Sequence, residues 1–346
     1  MAEGRDLTDV LARVARVWRD PEHPARAEAV ARTLEAPNRF TEEAVAFAVN
    51  HWMHTLAREA PAWTVGRPTK PRTVEVWHAG RVPLDGLEDL LAVLRAGHRY
   101  RGVLAAASPY LLPAFVAALA ADLPGLPVTF IAEGDHAGEP DALIAADAED
   151  VRARAEERWA CLGLRPERCL LRPVRFAVAV IDGRETADER EGLAVDALLY
   201  EGRSPRNTVL IFAPEGLAPD PYLEAFATFR GVFPAHPDTP GALQMQKALL
   251  EAYGQPHAYG EGPSFLISKG PADVQSPGHL RWVEYAVPDE VQAFLAANRE
   301  RLTCVVARPA VARRMRLRGP VVAPGMAHRF SPEDAMAEAL GFLARI

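Results

Sequence analysis

Lysine is nearly absent from this chain: Lys70, Lys247 and Lys269 stand against 36 arginines among 346 residues. A mechanism that depends on a lysine amine therefore has few candidates. Asparagine is also scarce, with four, and beside 30 prolines this bias points to a thermophile or a GC-rich genome. The three cysteines, Cys161, Cys169 and Cys304, form no C-x-x-C and give no disulfide framework. Cys304 lies in Leu302-Thr-Cys-Val-Val-Ala, which alternates like a buried strand and reads as a packed core thiol. Cys161 and Cys169 flank a Leu-Gly-Leu-Arg-Pro connection and read as structural.

Long apolar runs are missing too. Phe176 to Ile181 is too short to cross a bilayer, and the first thirty residues hold no signal-peptide core, so the expectation is a cytoplasmic protein without a membrane span. There is no excess of positive charge. A net charge of −7 excludes a nucleic-acid footprint, and the Arg-rich stretch Arg308 to Arg318 is too short to reverse that. No G-x-G-x-x-G, G-x-x-x-x-G-K-[ST], H-E-x-x-H or G-x-S-x-G occurs. His51 and His54 have i, i+3 spacing on a helix but no third ligand nearby, so no metal is expected.

What is present is a soluble globular composition, 49% hydrophobic and 25% charged, long enough for about two domains. Residues 1 to about 65 read as helical. Thr41 is placed to cap a helix with Glu42 and Glu43 in its first turn, followed by the stripe Val45, Val49, Trp52, Met53 and Leu56. A proline-rich linker, Pro61 to Pro71, follows. From Thr73 strands and helices alternate, with strands expected near 74–77, 100–105, 127–131, 142–146, 176–181, 208–213, 264–268, 280–285 and 303–307, and with 84–96 and 332–343 among the expected helices. Such alternation gives βαβ units and parallel-rich sheets covered on both faces: an α/β fold. The polar turn Gly183 to Asp188, after a fully apolar strand, is the expected domain boundary.

The stretch Tyr200-Glu-Gly-Arg-Ser-Pro-Arg-Asn207 sits between an expected helix, Asp188 to Leu199, and an expected strand, Thr208 to Ala213. A nucleophile at such a junction would be exposed at a sheet edge. The same stretch also fits an ordinary helix-to-strand loop, with Gly202 as a helix stop and Pro205 as a breaker.

The segments His78-Ala-Gly-Arg-Val-Pro-Leu, Asp89-Leu-Leu-Ala-Val-Leu, Ser108-Pro-Tyr-Leu-Leu-Pro, Phe176-Ala-Val-Ala-Val-Ile-Asp-Gly, Tyr200 to Asn207 and Phe212-Ala-Pro-Glu-Gly come in a specific order. With Phe265-Leu-Ile-Ser-Lys, Val283-Glu-Tyr and Leu302-Thr-Cys-Val-Val they resemble acyl-CoA reductases of the LuxC type, within the aldehyde dehydrogenase superfamily. The likeness covers roughly residues 73 to 346. It implies an aldehyde-dehydrogenase-like α/β fold of two Rossmann-like domains with a helical N-terminal region. The implied division is 1–70 helical, 71–183 cofactor-type, 184–310 catalytic-type, and 311–346 returning to the first domain. It also implies NADPH as cofactor, a cysteine thioester as intermediate, acyl-CoA or an acyl-transfer protein as partner, and a homo-oligomer.

At the positions this chemistry needs, the chain departs from the family. A thiolate must attack the acyl carbonyl, and the family cysteine falls on Pro205, beside Ser204 and just before Arg206-Asn207. The asparagine that would steady the oxyanion falls on Arg81. The lysine that grips the cofactor falls on Val103, followed by Ala105 and Ala106 where small hydroxyl residues are usual. The Gly-Ser pair that lets pyrophosphate approach a helix start reads Asp147-Ala148. Two readings follow: a catalytically silent family member that binds a ligand or partner, or a working oxidoreductase with a rebuilt site using Ser204, Cys161 or Cys304. A serine needs an adjacent base, for which His78, His98 and His236 are the sequence candidates.

Overall fold

The computed structural model of the protein describes residues 6–135, 138–146 and 148–346. It divides into two compact units, one comprising residues 1–173 with 330–346 and the other residues 174–329.

The first unit opens with α1 (Leu7–Val17), α2 (Pro24–Glu35) and α3 (Glu42–Glu59). The Thr41 hydroxyl accepts the Ala44 N–H and starts α3. Val45, Val49, Trp52, Met53 and Leu56 are buried along its inner side. Then come β1 (Thr73–Trp77), α4 (Leu87–Arg95), β2 (Arg99–Val103), α5 (Leu111–Asp122), β3 (Val128–Ile131), β4 (Ala142–Ala145), α6 (Glu149–Leu162) and β5 (Cys169–Leu171). The strands form one parallel sheet in the order β3-β2-β1-β4-β5. The chain winds outward from β1 in both directions, so the topological switch point, where such sheets hold ligands, lies at the carboxyl ends of β1 and β4.

The second unit runs β6 (Phe176–Val180), α7 (Ala187–Leu198), β7 (Thr208–Pro214), α8 (Asp220–Val232), α9 (Thr239–Ala252), β8 (His257–Tyr259), β9 (Leu266–Lys269), β10 (His279–Tyr285), α10 (Pro288–Ala297), β11 (Leu302–Val306), α11 (Pro309–Arg314) and β12 (Val321–Val322). Its sheet has the order β12-β11-β6-β7-β10-β9-β8, parallel except for the antiparallel pair β8–β9. All five residues of β6 are buried. This is what a strand with helices on both faces requires.

The boundary lies at residue 173 rather than near 183. β6 pairs with β7 and β11, so it belongs to the second sheet, and the polar turn after it is an internal crossover. There Thr186 and Glu189 form a reciprocal capping box that starts α7. Residues 311–329 also stay with the second unit; only the segment from Phe330, with α12 (Pro332–Leu343), rejoins the first. There α12 packs on α4, burying Met336, Ala339, Phe342 and Leu343. Among the described residues no helix is long and apolar enough to cross a membrane.

Candidate functional site

The α7–β7 loop makes a sharp turn through three consecutive left-handed residues: Tyr200 (φ 57°), Glu201 (φ 57°) and Gly202 (φ 69°). For residues other than glycine this conformation costs about 1–2 kcal/mol each. The surroundings hold it in place. The buried Glu201 carboxylate takes a hydrogen bond from Arg230 Nη1 at 3.0 Å and one from the Thr239 hydroxyl. Gly202 packs so closely that a Cβ there would lie 2.7 Å from the Gly278 nitrogen. No side chain fits at residue 202.

Asn207 fixes the far end of the loop. It is fully buried, not exposed at a sheet edge. Its Nδ2 lies 3.1, 3.1 and 2.7 Å from the carbonyl oxygens of Asp196, Ala197 and Leu199, which end α7, and 3.3 Å from His328 Nε2. Its Oδ1 accepts the Ser204 N–H at 2.8 Å. Its polar atoms close the α7 carboxyl end, where unpaired carbonyls would otherwise be buried. Ser204 is also buried, and its Oγ accepts the Arg206 N–H at 3.1 Å, completing a local turn. Pro205 contributes its carbonyl, which accepts from Thr303 Oγ1 at 2.6 Å.

The histidine beside this loop is His328, whose ring meets Tyr200 edge-on at 5.2 Å. No sequence signal pointed to it, because it lies 121 residues from its partner Asn207. His236 instead turns toward Asp238, and its Nδ1 accepts the Asp238 N–H at 3.3 Å. His78 and His98 belong to the first unit. Beneath the loop, Asp196 is fully buried and accepts N–H bonds from Gly325 (2.7 Å) and Ala327 (3.0 Å). Burial outweighs these bonds and pushes its carboxyl up to about 7.

Neither Cys304 nor Cys169 has the surroundings of a nucleophile. Cys304 is 1% exposed in the β11 core, where burial pushes its thiol up to about 12. Cys169 is pushed up to about 11 for the same reason. A nucleophilic cysteine needs the opposite shift. Cys161 is exposed on α6, in the first unit.

The other expected positions lie at the first unit's switch point. Val103 ends β2 and is 4% exposed, packed in an apolar cluster with Trp77, Leu143, Ala148 and Val151. Ala105 follows it, and its methyl would lie 2.7 Å from a Cβ at Gly80. Arg81, in the β1–α4 connection, directs Nη2 at Asp150 Oδ1, 3.4 Å away in the first turn of α6. Ala148 is the N-cap of α6 and supplies no side-chain cap, while Glu149 and Asp150 make the first turn acidic. Asp147 lies outside the described residues.

The carboxylates of this first turn are of the sign that repels phosphate, and the arginines on Asp150, Arg81 and Arg154, are already paired. The residues do not fit the pyrophosphate grip that a nicotinamide cofactor requires. Arg101, an alternative cation, is engaged by Gly138 O (2.9 Å) and Glu75 (3.6 Å). The β1–α4 connection is itself held by buried polar pairs. Tyr100 OH bonds His78 Nε2, the Gly80 N–H donates to Asp85 at 2.6 Å, and Arg172 grips Asp89 through both Nη atoms at 2.6 and 2.8 Å. Burial holds His78 neutral down to about 4.

No sequence-family model matches the chain, and no curated protein matches it in sequence. Solved structures do. The NAD-dependent benzaldehyde dehydrogenase of Corynebacterium glutamicum aligns over 96% of this chain and 83% of its own, with a TM-score of 0.69 at 15% identity. The fold is that of the aldehyde dehydrogenases. An indole-3-acetaldehyde dehydrogenase of P. syringae aligns over 92% of this chain and 76% of its own (TM-score 0.65, 12% identity). A mutant of Thermus thermophilus 1-pyrroline-5-carboxylate dehydrogenase aligns over 98% and 79% (TM-score 0.61, 15% identity). At such identities the likeness establishes the aldehyde dehydrogenase fold, with the site residues to be judged on their own chemistry.

Proposed function

We propose that this chain is a catalytically silent relative of the LuxC-type acyl-CoA reductases, an aldehyde-dehydrogenase-fold protein that binds a ligand or an acyl-transfer partner without turning over thioesters. The observation that carries this reading is the condition of the Tyr200–Asn207 loop. Pro205 has no nucleophilic atom, residue 202 admits no side chain, and the polar atoms of Ser204 and Asn207 form bonds within the unit. The acidic start of α6 and the buried Val103 support the same conclusion for the cofactor.

Fluorescence titration with NADPH and NADH, and intact-mass measurement after incubation with a fatty acyl-CoA, test this proposal. The expected results are no micromolar nicotinamide binding and no acyl adduct. An adduct mapped to Ser204 or to any cysteine would overturn the silent reading in favour of a rebuilt oxidoreductase. Pro205→Cys alone is expected to leave reduction absent, because Arg81 and Val103 still stand where the oxyanion donor and cofactor grip belong. Assembly as a homo-oligomer is part of the same proposal, and light scattering checks it.

A further inference from the structure

Under α9, on one face of the second sheet, three polar residues meet. Arg281 of β10 is the register partner of Ser268 on β9, and His279, two residues earlier on β10, shares its face. Ser268 Oγ lies 2.7 Å from His279 Nε2 and 2.8 Å from Arg281 Nη1, while His279 Nδ1 lies 2.7 Å from Gln246 Oε1 of α9. These contacts assign the protons. The Gln246 carbonyl oxygen only accepts, so His279 carries its hydrogen on Nδ1 and presents a lone pair on Nε2. The Ser268 hydroxyl donates to that lone pair, and its oxygen accepts from Arg281.

This arrangement satisfies the serine hydroxyl, both ring nitrogens of the histidine and the glutamine oxygen, and leaves a nitrogen of Arg281 without a partner. Arg281 is 6% exposed, and its Nε is buried with no hydrogen-bond partner. Gly270 closes the Nη1 side, where a Cβ would lie 2.9 Å away. Buried polar groups in folded proteins are satisfied, and a guanidinium N–H edge is built to pair with a planar pair of oxygens.

We propose that the Nε edge of Arg281, oriented by Ser268 and His279, is a recognition site for the carboxylate of a small organic monoanion. The charge available selects a single negative charge. Lys269 is paired with Glu284 at 2.7 Å and Lys247 with Glu251 at 3.2 Å, so neither cation is free to serve the site. Burial keeps His279 neutral down to about 4. The Asp273 carboxylate acts on Arg281 as well, so the site offers at most one net positive charge, enough for a carboxylate and short for a phosphate dianion.

The test uses the full chain and follows arginine Nε–H resonances by NMR, with acetate and then inorganic phosphate added at constant ionic strength. Acetate is expected to shift one Nε–H signal saturably and to slow its exchange with water. Arg281→Lys, which keeps the charge and removes the fork, should abolish that response, and Ser268→Ala should weaken it several-fold. Should Arg281→Lys not fold, the Ser268→Ala comparison carries the test. The proposal is overturned if acetate gives no saturable shift, if phosphate shifts the signal and acetate does not, or if neither variant alters the acetate response.

Discussion

At the scale of single residues, Asn207 is where the sequence reading and the structure differ in consequence. A side chain named among the candidate catalytic residues serves the end of α7, with its amide nitrogen facing three carbonyl oxygens. Asn207→Ala should cost about 2–4 kcal/mol in urea unfolding, because several buried acceptors lose their donor at once. Asn207→Asp should cost more, since an acceptor oxygen would then face the same carbonyls; equal stability of the two variants would contradict the assigned role.

Asp196 makes a second prediction at this scale. Its folded value of about 7 lies above the ordinary 3.8, so the folded state retains a proton that the unfolded chain has released. Stability from this group therefore falls as pH rises from about 4 to 7, by up to a few kcal/mol. Asp196→Asn should be destabilised by a pH-independent offset and lack that slope. Parallel stability curves for the two proteins between pH 4 and 7 would refute it. The comparison must be made as a difference, because the buried His78 and His279 contribute a slope of opposite sign below about 6.5.

At the scale of elements, the capping box at the start of α7 offers a clean measurement. Thr186→Ala removes the acceptor for the Glu189 N–H and should cost about 1 kcal/mol, read as a shift in the unfolding midpoint at unchanged slope. Elements with their own punctuation were legible from sequence: Pro332–Leu343 is bounded by the Ser331 cap, a proline in the first turn and a continuous apolar spacing. β5, β8 and β12 were not, since strands of three, three and two residues are too short to display a period. α4 starts at Leu87 rather than Leu84, because Leu84 has a left-handed backbone, φ 59°. The α7–β7 loop was visible because apolar segments flank it. The partners of its residues were not, because Asn207 meets His328 and Glu201 meets Arg230 only through the fold. The Arg281 group was invisible for the same reason: strand register, not spacing along one segment, brings Ser268 against it.

At the scale of the whole molecule, each unit has its own sheet and its own apolar clusters, but the first is discontinuous in sequence. Phe342 is 3% exposed within the first unit's core. Phe342→Ala should cost about 3–5 kcal/mol there. Hydrogen exchange should speed up in β1 to β5, with β6 to β11 unchanged, and acceleration across both sheets would show that the units do not unfold separately.

The discontinuity also sets an order of events during translation. Every strand of the second unit is synthesised before α12. The first 173 residues wait with the α4 surface uncovered and with Arg172 lacking Glu338, its partner at 2.8 Å. The part of the protein synthesised first is therefore the part completed last. A released chain ending at Arg329 should therefore be cut by protease in its older half while its younger half resists.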